Sequence, residues 1–267
     1  MKNVTENGIA LSLAGRTALI TGGSRGIGAA TVRMFCQAGA NVFFNYRSAE
    51  AQARQLMTEC GGEAICRAAC QELASPSDGS ALVRAAVEAF GRLDCLVVNH
   101  GVWPPHDIPI DSMSDAQWRS TLGINLDSTF GLLRAAVSQM KQQDLRDRVR
   151  GHIVLVASTA AQRGEAFHTD YAASKGALVS MTKSLSSELA TDGIYCNCVA
   201  PGWVDTEMSS AALSHPETSK KVLATIPLGR PARVEEIAGP ILFLCTPLAG
   251  FISGEIFNVN GGAVLVG

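Results

Sequence analysis

The sequence predicts a doubly wound α/β fold: a single domain on a seven-stranded parallel sheet with helices on both faces. Two observations carry this. Short β-branched or apolar runs alternate with longer stretches of helical spacing almost throughout, which demands βαβ crossovers and a sheet covered on both sides. A glycine-rich turn also stands between the first such run and the first helical stretch, where doubly wound sheets bind their ligands. A chain of 267 residues, 47% hydrophobic and 17% charged, is long enough for one such domain with a substantial core.

In chain order, residues 1–13 read as a short tail without the sustained apolar stretch of a leader, and the domain occupies 14–267. Strands are expected at 16–21, 41–46, 63–69, 93–99, 152–157, 194–200 and 255–260. Helices are expected between them, over 27–39, 49–60, 78–91 and 173–190, where composition and spacing both favour them. Residues 203–232, rich in Ser, Thr, Pro and Gly, read as an irregular stretch after the sixth strand, placed to act as a lid or substrate loop. No repeat, low-complexity tract or linker divides the chain.

Net charge is -2 with no basic run, which argues against nucleic acid as a partner. No run of eighteen apolar residues is present, so no membrane span is expected and the cytoplasm is the expected location. Eight cysteines form no CxxC pair and no Cys/His cluster in sequence, so small buried thiols in a reducing compartment are expected, and no metal. Cys196 and Cys198 alternate in an apolar run and should face one side of a strand.

Two motifs carry chemistry. Thr21-Gly22-Gly23-Ser24-Arg25-Gly26-Ile27-Gly28 lets backbone approach a pyrophosphate and aims helix N–H groups at it, in a G-x-x-x-G-x-G spacing distinct from G-x-G-x-x-G. Tyr171 and Lys175 in YAASK lie one helical turn apart on one face. Bringing a phenol that titrates near ~10 to neutrality requires about 4 kcal/mol. An ammonium ~4 Å away at an effective dielectric of ~20 supplies about that much, with phenolate desolvation opposing it.

TGGSRGIG, Asn99-x-Gly101, a helical Asn125, Ser158, YAASK and PGWVDTEM, in this order over residues 14–262, resemble the short-chain dehydrogenase/reductase family, in particular its 3-oxoacyl-acyl-carrier-protein reductase-like subgroup. The resemblance implies a Rossmann fold, a homotetramer with the Tyr171 helix and C-terminal strand at interfaces, and a tetrad of Asn125, Ser158, Tyr171 and Lys175. In that tetrad Tyr171 exchanges a proton with substrate oxygen as hydride moves to or from nicotinamide, and Ser158 holds that oxygen. Lys175 binds the nicotinamide ribose and depresses the Tyr171 pKa, and Asn125 places a water that links Lys175 to solvent. Plain alternatives are a helix cap for Ser158, a polar group at a helix kink for Asn125 and a core aromatic for Tyr171.

The implied cofactor contacts are Gly22, Ser24, Arg25, Gly26, Ile27, Gly28, Tyr46, Arg47, Ser48, Glu72, Asn99, Gly101, Pro201, Gly202, Val204 and Thr206, besides Tyr171 and Lys175. The second strand ends Asn45-Tyr46-Arg47-Ser48 with no acid before Glu50, so Arg25 and Arg47 are placed to grip a 2′-phosphate and NADP(H) is favoured over NAD(H). His100 replaces the alanine usual in the Asn99 motif. Trp103, His168 and Trp203, with Phe167 and Met208, are expected around the substrate. Carrier-protein-dependent relatives are expected to show basic residues where this chain has Asp144 and Asp192, although Arg146, Arg148 and Arg150 follow the first. The expected substrate is a 3-oxoacyl thioester or related ketone; the alternatives are a sugar, alcohol or polyketide-like substrate, and a cofactor-binding sensor without turnover.

Overall fold

The computed structural model describes residues 10–266; residues 1–9 and 267, including most of the expected tail, lie outside the described residues. The inner end of that tail belongs to the fold. Leu13 is buried, and its N–H donates to the Ala38 carbonyl at 2.8 Å.

Seven strands form one sheet in the order β3-β2-β1-β4-β5-β6-β7, every pair parallel. They are β1 Thr17–Ile20, β2 Asn41–Tyr46, β3 Cys66–Cys70, β4 Cys95–Val98, β5 Gly151–Val156, β6 Ile194–Pro201 and β7 Ile256–Val259. The helices are α1 Gly26–Gln37, α2 Glu50–Glu59, α3 Pro76–Phe90, α4 Asp115–Leu122, α5 Ser128–Lys141, α6 Ala160–Arg163, α7 Thr169–Leu189, α8 Glu207–Ser214, α9 Pro216–Ala224 and α10 Val234–Leu244. The third strand begins three residues later than its apolar run suggested, because Gly61 and Gly62, both at positive φ, turn the chain first.

Period-two alternation sends neighbouring strand residues to opposite layers. Ala18, Ile20, Val42 and Phe44 pack with Phe35 of α1, Leu56 of α2 and Ile241 of α10. Leu19, Phe43, Leu96 and Ile153 pack on the other face with Leu82 of α3, Leu132 of α5 and Leu178 of α7. Cys196 and Cys198 join this second cluster, on one side of β6 as their alternation requires.

Two sequence expectations need correction. Residues 203–232 are not irregular: most of them form α8 and α9, each starting at a local capping arrangement (a capping box at Thr206, a Pro at the first turn at Pro216) that outweighs their turn-rich composition. The cysteines do not stay dispersed either, since Cys36, Cys60 and Cys66 converge. No described helix is long and apolar enough to cross a membrane.

Candidate active site

The site is assembled at the C-terminal ends of β1, β4, β5 and β6, the edge where open parallel sheets place their ligands. The glycine loop leaves β1 and enters α1, whose start has no side-chain cap and no acid in its first turn. The first amides of such a helix have no partner within it, so this end suits the pyrophosphate of a dinucleotide. Two of the loop glycines leave no room for a side chain: a Cβ on Gly28 would clash with the Gly22 carbonyl oxygen, and one on Gly23 would lie 2.5 Å from Phe44 Cβ.

Polar side chains from neighbouring strands hold the loop. Buried Asn45 accepts the Gly22 N–H at 2.9 Å and donates to the Gln71 carbonyl at 2.8 Å. Asn99 donates to the Thr21 and Gly22 carbonyls at 3.0 and 3.3 Å. Its side-chain N–H groups are thus spent on shaping the loop. At the rim, Arg25 pairs with Glu207 of α8 at 2.6 Å, and Arg47 lies 3.7 Å from Glu72. Tyr46 and Ser48 flank Arg47 at the end of β2, while Pro201, Gly202, Val204 and Thr206 run from β6 to the start of α8.

The structure brings the four residues of the expected tetrad together. Lys175 is buried, and one N–H of its ammonium donates to the Val156 carbonyl at 2.8 Å, leaving two donors for ribose hydroxyls. Its nitrogen lies 5.9 Å from the Tyr171 ring centroid. Ser158 follows β5; its Oγ accepts the Ala160 N–H at 3.1 Å, and its hydroxyl lies close enough to the Tyr171 phenol to favour the phenolate. Asn125 sits in a π-helical turn, Gly123–Asp127, between α4 and α5. Its Oδ1 accepts the Val102 N–H at 2.8 Å, while its Nδ2 donates to the Val102 carbonyl and to Ser174 Oγ, both at 3.0 Å. It therefore ties the segment after β4 to α7.

The phenol's environment departs from the sequence expectation. Burial pushes Tyr171 up to about 12, with the Ser158 hydroxyl pulling it down and Glu165 pushing it further up. Burial also brings Lys175 down to about 8. Desolvation dominates at this phenol, and the single favourable contact with Ser158 does not offset it. The bound cofactor's oxidised ring would have to supply the rest.

His100 proves to be a junction. Its Nε2 faces the Ile124 carbonyl at 3.1 Å and Ser128 Oγ at 2.8 Å, and its Nδ1 lies 2.8 Å from Thr21 Oγ1. Ser128 already donates to the Ile124 carbonyl at 2.7 Å, so Nε2 carries the proton and Nδ1 accepts from Thr21. Thr21 Oγ1 in turn accepts the Asn99 and His100 amides at 3.0 and 3.2 Å. Burial, with Lys175 nearby, brings His100 down to about 3 and keeps it neutral. One imidazole thus joins the glycine loop, the end of β4 and the turn that carries Asn125.

The residues expected around the substrate lie together. Trp103 stacks on His168, centroids 4.7 Å apart at 16°, and meets Trp203 edge-on at 6.3 Å. His168 is only 2% exposed and both its nitrogens face backbone carbonyls, so it buttresses the Trp103 ring. Glu165, not singled out from sequence, accepts from the Trp103 indole at 3.2 Å and is raised in pKa by burial. Asp170 was also missed; fully buried, it accepts from Thr121 at 2.7 Å and from the Tyr171 amide at 2.9 Å, fixing the start of α7. An acid directly before the tyrosine was the available signal.

A family model described as Enoyl-(Acyl carrier protein) reductase matches residues 22–264. The 3-oxoacyl-[acyl-carrier-protein] reductase of Synechocystis sp. is 34% identical over 95% of this chain and 99% of its own length. The L-rhamnose 1-dehydrogenase (NAD(P)(+)) of Azotobacter vinelandii is 36% identical over 92% of this chain and 96% of its own. Among solved structures, a short-chain dehydrogenase/reductase (glucose/ribitol dehydrogenase) from Brucella melitensis superposes with a TM-score of 0.87 at 34% identity, covering 97% of this chain and 100% of that one.

The chain belongs to the short-chain dehydrogenase/reductase family. Like other short-chain dehydrogenase/reductases it is an oxidoreductase of the CH–OH/C=O couple that works with a nicotinamide cofactor. In this short-chain dehydrogenase/reductase the residues that shape the loop, Asn45 and His100, come from strand ends distant in sequence. No local spacing announces them.

Proposed function

We propose that this enzyme reduces a ketone with NADPH, Tyr171 giving the proton to the substrate oxygen while Ser158 holds that oxygen by hydrogen bond. The observation that carries the reading is the convergence of the Tyr171 phenol, the Ser158 hydroxyl and the buried Lys175 ammonium beside an uncapped helix start suited to a dinucleotide. The nicotinamide, when bound, supplies the hydride and takes it back in the reverse direction. Lys175 uses its free N–H groups to orient the ribose, and its charge favours the phenolate left after proton transfer. Asn125 holds the floor of the site, and the proton is replenished along Lys175.

NADPH is preferred over NADH because Arg25 and Arg47 stand at the rim beyond β2, where a 2′-phosphate displaces Glu207 and Glu72 from them. The proposed substrate is a 3-oxoacyl thioester or related ketone. Delivery on an acyl carrier protein is disfavoured. Asp192 is paired with Lys141 at 2.8 Å, and Arg146 and Arg150 turn inward onto the carbonyls of Gly15 and Asp192. A second reading, dehydrogenation of a sugar or other polyol, is favoured by the wall of Trp103, Trp203 and Glu165, which pairs flat apolar faces with a hydrogen-bonding carboxyl group. A cytoplasmic setting and a homotetramer built on α7 and the edge strand β7 complete the proposal.

The test is NADPH consumption with a short 3-oxoacyl thioester alongside NADP+ reduction with a panel of aldoses, Tyr171→Phe serving as the blank. Loss of the phenol should lower turnover by about 10²–10⁴-fold. Activity on the thioester supports the first reading and activity on aldoses alone the second. Turnover undiminished in Tyr171→Phe refutes the assigned chemistry.

A further inference from the structure

Three thiols unconnected by sequence spacing meet at the N-terminal edge of the sheet, the edge opposite the active site. Cys36 lies in the last turn of α1, Cys60 directly follows α2, and Cys66 opens β3. Their sulfur atoms all lie within 4.8 Å of one another, the only group of three or more His, Cys, Asp or Glu so arranged among the described residues.

The backbone holds the group in place. Cys60 N–H donates to the Leu56 carbonyl at 3.0 Å, Gly62 N–H to Met57 at 2.9 Å and Cys66 N–H to Gly62 at 2.8 Å. The double-glycine turn, at φ of +95° and +75°, thus folds Cys60 and Cys66 back over the end of α1. Cys66 is buried, but Cys36 and Cys60 are partly exposed, so an ion has a way in. Arg33, one turn before Cys36, is bound to Glu59 at 2.9 Å, so the charged pair beside the group is neutral overall.

Thiols are weak hydrogen-bonding groups, and three of them facing one another gain little that apolar side chains would not give. Three soft sulfur donors from three elements are, by contrast, a ligand set for a thiophilic ion. With metal–sulfur bonds of about 2.3 Å, the edges of such a site are roughly 4 Å. Closing from 4.8 Å or less requires movements of less than about 1 Å.

We propose that Cys36, Cys60 and Cys66 form a trithiolate site for one thiophilic d10 cation, Zn2+ or its analogue Cd2+, with a fourth position open to water. The bound ion clamps the glycine-loop helix α1 to α2 and β3 and stabilises the folded chain by mass action.

The experiment is a titration of the reduced full-length protein with Zn2+ against a chromophoric chelator, and with Cd2+ while following thiolate-to-cadmium charge-transfer absorption. Cys60→Ser and Cys36→Ser remove ligands at partly exposed positions, and Cys70→Ser is the control at an exposed thiol outside the group. One equivalent per chain is expected for the unaltered protein and for Cys70→Ser, with a rise in melting temperature on adding Zn2+. Each triad variant should bind at least tenfold more weakly and lose the cadmium band. Should either triad variant fail to fold by circular dichroism, the other decides. The proposal is overturned if the unaltered protein takes up no stoichiometric ion, if Cys60→Ser or Cys36→Ser binds as well as it does, or if binding is lost with Cys70. It is equally overturned if the thiols merely pair as a disulfide.

Discussion

His100 shows how one side chain sets the state of a whole site. Protonation would turn Nδ1 from an acceptor into a donor facing the Thr21 hydroxyl, near the buried Lys175 ammonium, and burial brings the group from 6.5 to about 3. The folded value is depressed, so the stability that His100 contributes is present above pH 6.5 and is lost as pH falls toward 3. Urea midpoints should therefore drop between pH 6.5 and 4, and more gently in His100→Gln than in the unaltered chain. At pH 7, His100→Ala leaves Thr21 and Ser128 without their partner and should cost about 1–3 kcal/mol, read from the same unfolding curves. Tyr171 has the opposite sign. Raised from 10.0 to about 12, it contributes stability that is present below pH 10 and lost as pH rises toward 12. Ultraviolet titration of the cofactor-free protein, with Tyr171→Phe as reference, should show this phenol still protonated at pH 10. Gly101 tests the tetrad from its backbone side. A Cβ there would lie 3.2 Å from Asn125 Oδ1 and 3.3 Å from Lys175 Nζ, so Gly101→Ala wedges a methyl between the two groups. Its expected signature is a fall in kcat of tenfold or more with an almost unchanged melting temperature.

At the scale of elements, the segment after β6 reaches the glycine loop through one ion pair. Arg25 at the start of α1 and Glu207 at the start of α8 are both exposed, so their pairing is worth no more than about 1 kcal/mol. That is small enough for a cofactor phosphate to displace. Glu207→Gln frees Arg25 and should tighten NADPH binding up to about fivefold while leaving NADH unchanged, as measured by nicotinamide fluorescence. Equal effects on both cofactors would remove Arg25 from the 2′-phosphate role. The π-helical turn between α4 and α5 is the other decisive element, since it presents Asn125 toward Val102 and Ser174. Hydrophobic periodicity shows a helix here but not its local widening, which is why the sequence placed Asn125 on a helix and missed the turn.

Across the whole molecule, two apolar layers on one parallel sheet make the scaffold rigid where the site is built. Ile153, fully buried in central β5, packs against the α3–α5–α7 layer. Ile153→Ala should destabilise the chain by about 2–5 kcal/mol in urea unfolding without altering the NADPH/NADH preference. The sheet, its strand sequence and the order of its motifs were legible because period-two and helical patterns are local consequences of burial. The four tetrad residues were legible too, through motifs whose order along the chain matches a known family.

Tertiary structure alone decided what depends on distance between segments remote in sequence. The phenol's pKa depends on the balance between desolvation and nearby charge, and spacing along a helix gives only the charge. The role of His100 rests on Thr21, Ile124 and Ser128, which three different elements bring to one ring. The thiols at positions 36, 60 and 66 became a cluster only because a double-glycine turn folds two of them over the end of the first helix. Sequence determined which residue types were available and on which face of each element they lie. Packing determined which of them touch, because contact energies act through space and fall away within a few ångströms, whatever the separation along the chain.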